Sequence, residues 1–391
     1  MLYKFYSIIF VAVLLISCGQ EKVKDHSTKT AYQLVNSFIG TGGHGHTFPG
    51  ATLPFGMVQL SPDTRLEGWD GCSGYHNTDA VIYGFSHTHL SGTGISDYGD
   101  ILLMPFNHPE NVSYAAVEKQ ELIPSEFKKE NESASPGFYK VHLDKPNIDV
   151  ELTATTRVGI HKYTFNKKGN NKILLDLNHR DKVLDFNITI ENKTTISGFR
   201  RSKAWADNQH VFFYMEFSQP FEASYPINNS EKKNYYKILS FKDDIDQLII
   251  KVGISAVSVA GAKANFIKEA QSWDFNTYKE NAKSVWTKAL DKIQVKDPNE
   301  EKLVVFYTAL YHTMIVPNTY NDVNGNYRGM DQKIHNDTVN KTYTVFSLWD
   351  TFRAAHPLYT IIEQERTNAF INTFLKHYDQ GGRTPCLGAY R

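Results

Sequence analysis

The sequence predicts a large β-sandwich followed by a group of helices, and three observations carry that prediction. From about residue 31 to residue 260 apolar side chains recur with a period of two, and beyond it they recur at three and four. The separators in the first part are short turns rich in Gly, Pro and Asn. Leu248, Ile250, Val252 and Ile254 alternate with Ile249, Lys251, Gly253 and Ser255. Ile173, Leu175 and Leu177 repeat this alternation in a shorter run. In residues 210–218 Val211, Phe213 and Met215 occupy one parity and Phe212 and Tyr214 the other, which predicts a strand covered on both faces. Ser135-Pro136-Gly137 and Lys168-Gly169-Asn170-Asn171 read as turns between strands.

The helical part begins with Tyr278, Ala282, Val285, Trp286 and Ala289, at three- and four-residue spacing. A second helix carries Leu303, Phe306, Tyr307, Leu310 and Met314 and is expected to end before Pro317. A third surrounds residues 347–355 and meets Pro357. A fourth, with Ile362, Arg366, Phe370 and Phe374 on one side, stops at Gly381-Gly382, a C-terminal cap. The change of period places the domain boundary around residues 261–275, giving a sandwich over 31–262 and helices over 263–391. Three or four helices are too few to close a helical barrel, and no repeat of solenoid length is visible.

Length and charge narrow the function. A chain of 391 residues has room for two sizeable cores. Lys plus Arg and Asp plus Glu both number 42, and no basic block stands out, so nucleic acid is not an expected partner. Residues 1–18 have the form of a lipoprotein signal peptide. Lys4 supplies the positive start, residues 8–16 are apolar but too short to span a bilayer, and Leu15-Ile16-Ser17-Cys18-Gly19 resembles a lipobox in which Cys18 takes the lipid. An ordinary cleaved signal with an incidental Cys is the plainer reading. The polar residues 19–30 suit a membrane tether, so an envelope lipoprotein on the outer membrane or cell surface is expected, or otherwise a periplasmic protein. Cys72 and Cys386 remain, too few and too far apart for a disulfide framework or a metal-ligand spacing.

Chemistry-bearing residues crowd into residues 36–100. The run Phe38-Ile39-Gly40-Thr41-Gly42-Gly43-His44-Gly45-His46-Thr47-Phe48-Pro49-Gly50-Ala51 implies backbone in unusual conformations or in close approach to something. No Lys-Ser/Thr follows, which argues against a phosphate cradle. His44 and His46, and again His87 and His89, form His-x-His pairs that in a strand would share a face; metal binding, sugar binding and a structural role all remain open. In Gly68-Trp69-Asp70-Gly71-Cys72-Ser73-Gly74-Tyr75 the indole offers an apolar platform to a sugar ring and the neighbouring carboxylate accepts from hydroxyls. Equally, Trp69 could pack under the glycine turn with Asp70 as its cap. In the later run 346–358 (FSLWDTFRAAHPL) Asp350 and Arg353 would share a helix face, as a surface ion pair or as part of a cleft.

Taken together, residues 36–63, 68–75, 84–100 and 349–358 resemble glycoside hydrolase family 92, and the resemblance runs from about residue 32 to 382. It implies a galactose-mutarotase-like supersandwich followed by an (α/α)6 barrel, here incomplete, and a calcium-dependent inverting exo-α-mannosidase acting on terminal mannose of N-glycans or mannans. It further implies that Trp69, Asp70, Cys72 and His89 belong to the mannose pocket on the sandwich side, with Asp350 and Arg353 on the helical side. The family's general acid, general base and calcium ligands are expected further along the barrel, and residues 383–391 depart from the family pattern after Gly381-Gly382. No catalytic residue and no metal ligand is therefore assigned, and the chain alone is expected to be inactive. The rival functions are a lipid-anchored mannoside-binding protein without hydrolysis and an unstable remnant with exposed helix faces.

Overall fold

The computed structural model describes residues 29–107, 123–227, 235–382 and 387–388. Cys18, the signal segment and nearly all of the tether lie outside the described residues, as does Cys386. No described helix is long and apolar enough to cross a membrane.

Two antiparallel sheets dominate the chain. The first has seven strands, in the spatial order Ala51–Thr52, Gln59–Asp63, Gly84–Ser86, Leu102–Phe106, Lys172–Asp176, Tyr236–Ser240 and Ala223–Ile227. The second has eight, in the order Lys182–Asn192, Thr195–Lys203, Gln209–Phe217, Gln247–Ser255, Val158–Phe165, Ile148–Ala154, Phe138–Leu143 and Ser133–Ser135. Leu60, Phe85 and Leu103 of the first sheet share one core with Val150, Phe213, Leu248 and Ile250 of the second. This is the arrangement that period-two patterning produces when inward residues of two sheets meet. Ser135-Pro136-Gly137 does turn one strand into the next.

The second face of this sheet is where the alternation misleads. Tyr214 and Ile249 lie under a helix, α2 (Val259–Glu269), in a separate cluster with Ala262 and Phe266. The pattern predicts cover for Tyr214, but the parity of Ile249 and Lys251 reads as the outer side of a half-buried strand. Lys251 is buried instead, its stem under α2 and its Nζ donating to the carbonyls of Ala270 (2.7 Å) and Ser272 (3.2 Å). A lysine can satisfy an alternating pattern and still be covered when its head reaches backbone acceptors.

A second core joins the halves. A short helix, α1 (Ala31–Leu34), opened by a capping box between Thr30 and Gln33, packs its apolar residues with α3 (Phe275–Leu290) and α4 (Glu300–His312), while its Tyr32 hydroxyl donates to Ser135 Oγ of the second sheet at 2.9 Å. Asp274 and Asn299 cap α3 and α4 through their side chains. Phe48, Phe55 and Tyr75, from the glycine-rich region, enter this core beside Trp286, Tyr311, Tyr359 and Phe370. The Trp286 indole donates to the Thr52 carbonyl at 2.7 Å, and the Phe55 amide donates to the Met314 carbonyl at 2.6 Å. The expected boundary at 262/263 falls inside α2, whose apolar face belongs to the outer side of the sandwich.

The helices differ in detail from their expected faces. Val285 is exposed although it keeps helical spacing with the buried Tyr278, Ala282, Trp286 and Ala289. Helix α4 ends at His312, so Met314 lies beyond it. The third helical run is two pieces, α5 (Leu348–Thr351) and α6 (Ala355–Ile362). Pro357 sits in the first turn of α6 and does not end a helix, because a first-turn residue needs no intrahelical N–H donor. Helix α7 (Gln364–Gly381) stops at Gly382 in the left-handed conformation (φ 68°), as Gly381-Gly382 predicts.

Candidate functional site

Trp69 begins a 3-10 turn, Trp69–Gly71, entered through Gly68 with φ 81°. Its indole is 56% exposed, against a sandwich whose other aromatics are mostly covered. The ring is held from three sides. His46 meets it edge-on at 4.3 Å, and His44 lies tilted at 4.8 Å. Gly94 approaches so closely that a Cβ there would lie 2.4 Å from the indole nitrogen. Beside it, Asp70 Oδ1 stands 2.7 Å from His44 Nδ1 and 3.4 Å from His46 Nε2. The His44 hydrogen bond, helped by His46, keeps the Asp70 carboxyl below the usual carboxylate range against the opposing effect of desolvation.

Arg180 braces this turn from beneath. Its Nη2 donates to the Gly71 carbonyl at 2.7 Å and to Ser96 Oγ at 2.9 Å, tying the Trp69 turn to the end of the loop that carries Gly94. Its Nη1 lies 3.9 Å from Asp63 Oδ1, deep in the first sheet. Burial alone would raise the Asp63 carboxyl, but His89 and His179, 3.4 and 3.3 Å from the same oxygen, outweigh it and lower its pKa. His89 is thus an interior residue: its Nδ1 is 2.8 Å from the Gln59 carbonyl and its Nε2 3.2 Å from Ser86 Oγ. Cys72 is a buried free thiol, 2% exposed, behind the turn. His87 faces away towards His161 at 3.0 Å, so His87 and His89 do not act as a pair.

Asp350 lies on α5, exposed, and accepts a hydrogen bond from Ser347 Oγ. It does not pair with Arg353, whose guanidinium sits 5.4 Å over the ring of Phe352 and outside the cavity that Asp350 lines. That cavity, about 370 Å³, lies between the halves. The sandwich supplies residues 91–95 and Trp205; the helical half supplies His312, Phe346, Trp349, Asp350, His356 and Tyr359. Gly94 of this lining loop also lies against Trp69, but Trp69 and Asp70 are not themselves among the residues that line the cavity. Burial lowers the pKa of His312 to about 4 and also lowers that of His356, so both rings face the cavity as neutral hydrogen-bonding groups.

The structure thus sets Trp69 and Asp70 beside the loop 91–95 and Asp350 in the cavity that this loop lines, without placing all three in one cavity; Cys72 and His89 lie in the interior, and Arg353 is on the outer surface. Sequence reasoning passes over Arg180, Trp205, His312 and His356. Arg180 stands in a polar run, Asn178-His179-Arg180-Asp181, that interrupts the alternation of its neighbours, and this is the signal that could have found it.

Known proteins match nearly the whole chain. The glycosyl hydrolase family 92 N-terminal domain model matches residues 34–255, and the catalytic domain model of the same family matches residues 261–390. A family GH92 α-mannosidase from Bacteroides thetaiotaomicron superposes with a TM-score of 0.82 at 32% identity, over 91% of this chain and 50% of that one. The same mannosidase has also been solved in complex with mannoimidazole. A GH92 inverting mannosidase from Bacteroides thetaiotaomicron superposes with a TM-score of 0.81 at 26% identity, over 93% of this chain and 50% of that one. An uncharacterized secreted glycosidase of Arthroderma benhamiae is 24% identical over 327 residues, 74% of this chain and 42% of that protein. The chain spans about half the length of these relatives. With both domain models matched in order along it, the chain belongs to glycosyl hydrolase family 92.

Proposed function

We propose that the chain builds part of the mannose-binding pocket of an inverting exo-α-mannosidase, its β-sheets forming a galactose-mutarotase-like supersandwich and its helices the first part of an (α/α)6 barrel. The observation that carries this reading is the loop 91–95, which lies against Trp69 at Gly94 and lines a cavity together with Asp350. An exposed indole beside a carboxylate suits a pyranose, because the ring's C–H face stacks and its hydroxyls donate. A related mannosidase binds mannoimidazole, which supports mannose as the sugar.

Inversion requires a carboxylic acid and a carboxylate base about 6.5–9.5 Å apart, one on each side of the scissile bond. Among the described residues that line the cavity, Asp350 is the one carboxylate, so the cavity orients a sugar hydroxyl without itself supplying an acid and base pair. The chain alone is accordingly proposed to bind mannosides and not to hydrolyse them. Calcium dependence is part of the same proposal. The described group His44, His46 and Asp70 offers two nitrogens to one oxygen, whereas calcium takes oxygens, so that group does not fit calcium. Anchoring through Cys18 at the cell envelope completes the proposal, and the description of the fungal relative as secreted supports an exported location.

The test is ligand-observed NMR of the purified chain with methyl α-mannoside, run beside an assay of p-nitrophenyl α-mannoside cleavage. Saturation transfer to the sugar that disappears in Trp69→Ala, without cleavage, is expected. Transfer unchanged in Trp69→Ala would move the sugar elsewhere, and calcium-dependent cleavage would show that carboxylates within this chain do chemistry.

A further inference from the structure

We propose that His44, His46 and Asp70 form a binding site for a transition-metal dication of the zinc class, at the rim of the Trp69 turn. The three donor atoms, His44 Nδ1, His46 Nε2 and Asp70 Oδ1, all lie within 4.8 Å of one another. Two imidazoles and one carboxylate are a donor set that zinc accepts, with a fourth position left for water or a ligand oxygen.

One of the three donor–donor distances already has the length such a site needs. With zinc–ligand bonds of about 2.0–2.2 Å, the edge between two donors of a tetrahedral site is about 3.3–3.6 Å. His46 Nε2 and Asp70 Oδ1 are 3.4 Å apart, long for a hydrogen bond and right for such an edge. His44 Nδ1 and Asp70 Oδ1, at 2.7 Å, are drawn together by the proton between them. A dication replaces that proton. The His44 ring then keeps a proton on Nε2 only, and it has to back off Asp70 and swing by more than about an ångström towards His46, since the donor set spans up to 4.8 Å; its 70% exposed side chain allows that swing.

The two histidines reach one point by a device that only this loop provides. They lie outside any strand, so the alternation expected of a His-x-His pair is not what aligns them. Gly45, between them, passes so close to the Gly40 carbonyl that a Cβ would lie 2.1 Å from its oxygen. His46 takes φ 48°, a left-handed conformation that a non-glycine residue holds at a cost, and strain of this kind gathers at ligand sites. Its carbonyl accepts from the Gly92 amide at 2.7 Å, and its buried ring is fixed by the edge contact with Trp69. His76 holds the loop from below through the Gly43 carbonyl at 3.1 Å. One ligand is therefore held rigidly, one is exposed and free to adjust and one is a carboxylate, which leaves a fourth position open. The chemical class of ligand it would take there is a water or a sugar hydroxyl oxygen.

The test uses the purified chain, stripped with chelator and titrated calorimetrically with Zn²⁺ in the absence of sugar, so its outcome is independent of the mannoside reading. One equivalent of Zn²⁺ is expected to bind saturably at micromolar concentrations. Loss of an outer-shell partner of a metal ligand typically costs about 10–100-fold in affinity, so removing a ligand itself through His44→Ala or Asp70→Asn should cost at least about tenfold. Because the His44 ring is largely exposed, His44→Ala keeps the fold, which circular dichroism checks. His142 beside Asp149 (2.8 Å) and His335 beside Asp331 (3.0 Å) are His–Asp pairs with no third donor grouped with them among the described residues, and His142→Ala and His335→Ala should leave the titration unchanged. Absence of saturable uptake, or uptake that survives both His44→Ala and Asp70→Asn, overturns the proposal.

Discussion

In the strand Gln209–Phe217 both faces are covered: Phe213 and Met215 by the other sheet, Tyr214 by the ring of Phe266 at 5.2 Å. Helix α7 has no such symmetry. Phe370, Thr373 and His377 are buried on one side, while Ile371, Leu375 and Tyr378, at i, i+4 and i+7 on another, are each half exposed or more. Trp349, Phe352 and Ile361 are uncovered in the same half, at 66%, 56% and 74%. A helix with two apolar stripes is built to be covered on two sides, whereas the sandwich closes over itself. The contrast changes what exposure means. Trp69 stands out as an exposed aromatic on a turn in a half that buries its large side chains, which makes its exposure functional evidence. Trp349 is exposed in apolar company, so its exposure alone says little.

The largest expected effect is at the seam between the halves. Trp286 is fully buried and its indole holds the Thr52 carbonyl, so Trp286→Ala should cost about 3–5 kcal/mol, read by urea denaturation, and should loosen α3 and α4 before the sheets. Simultaneous loss of both halves would erase the distinction between them.

A pH effect should come from the sandwich side. Burial, reinforced by the charge of Asp97, pushes the Asp181 carboxyl up to about 8, and burial pushes Asp97 up to about 6. The folded chain therefore holds protons that the unfolded chain, with ordinary carboxyls, has already released. This contribution favours folding at low pH and is lost as pH rises towards about 8. The melting temperature should fall between pH 6 and pH 8, and Asp181→Asn should flatten that fall; an unchanged slope in the variant would contradict the assignment.

The smallest effect distinguishes the uncovered stripe from a core. Leu375→Ala should change stability by no more than about 0.5 kcal/mol, whereas Phe213→Ala in the sandwich should cost about 3–5 kcal/mol. The dye ANS should bind the chain, and Leu375→Glu should lower its fluorescence. A large loss in Leu375→Ala would mean that the stripe is covered in solution.

How legible these features are in the sequence follows from how locally each is determined. The strands of the sandwich and the cap of α7 at Gly382 are written in short-range periodicity and backbone preference, and both can be read from it. The covering of Lys251 cannot, because a buried lysine depends on acceptors, Ala270 and Ser272, that lie in a segment about twenty residues on. The helix at residues 31–34 escapes because one turn is too short to show a period. At the site, local chemistry singles out Trp69 and Asp70. Their convergence with His44 and His46, 26 and 24 residues from Asp70, depends on a glycine-built loop whose path no periodicity encodes. The interior position of His89 likewise follows from Asp63 and Gln59, which the motif containing it does not reveal.

We propose that Trp69 and Asp350 both act on one bound mannoside, linked by the loop 91–95 that lies against Trp69 and lines the cavity with Asp350. A double-mutant cycle measures this directly, with mannoimidazole affinity of the purified chain determined by calorimetry for the wild type, Trp69→Ala, Asp350→Asn and the double variant. Each single change should weaken binding about tenfold, and the double variant should lose less than the product of the two, since groups sharing a ligand couple. Affinity that neither substitution alters, in variants that keep the wild-type circular dichroism, would contradict the account.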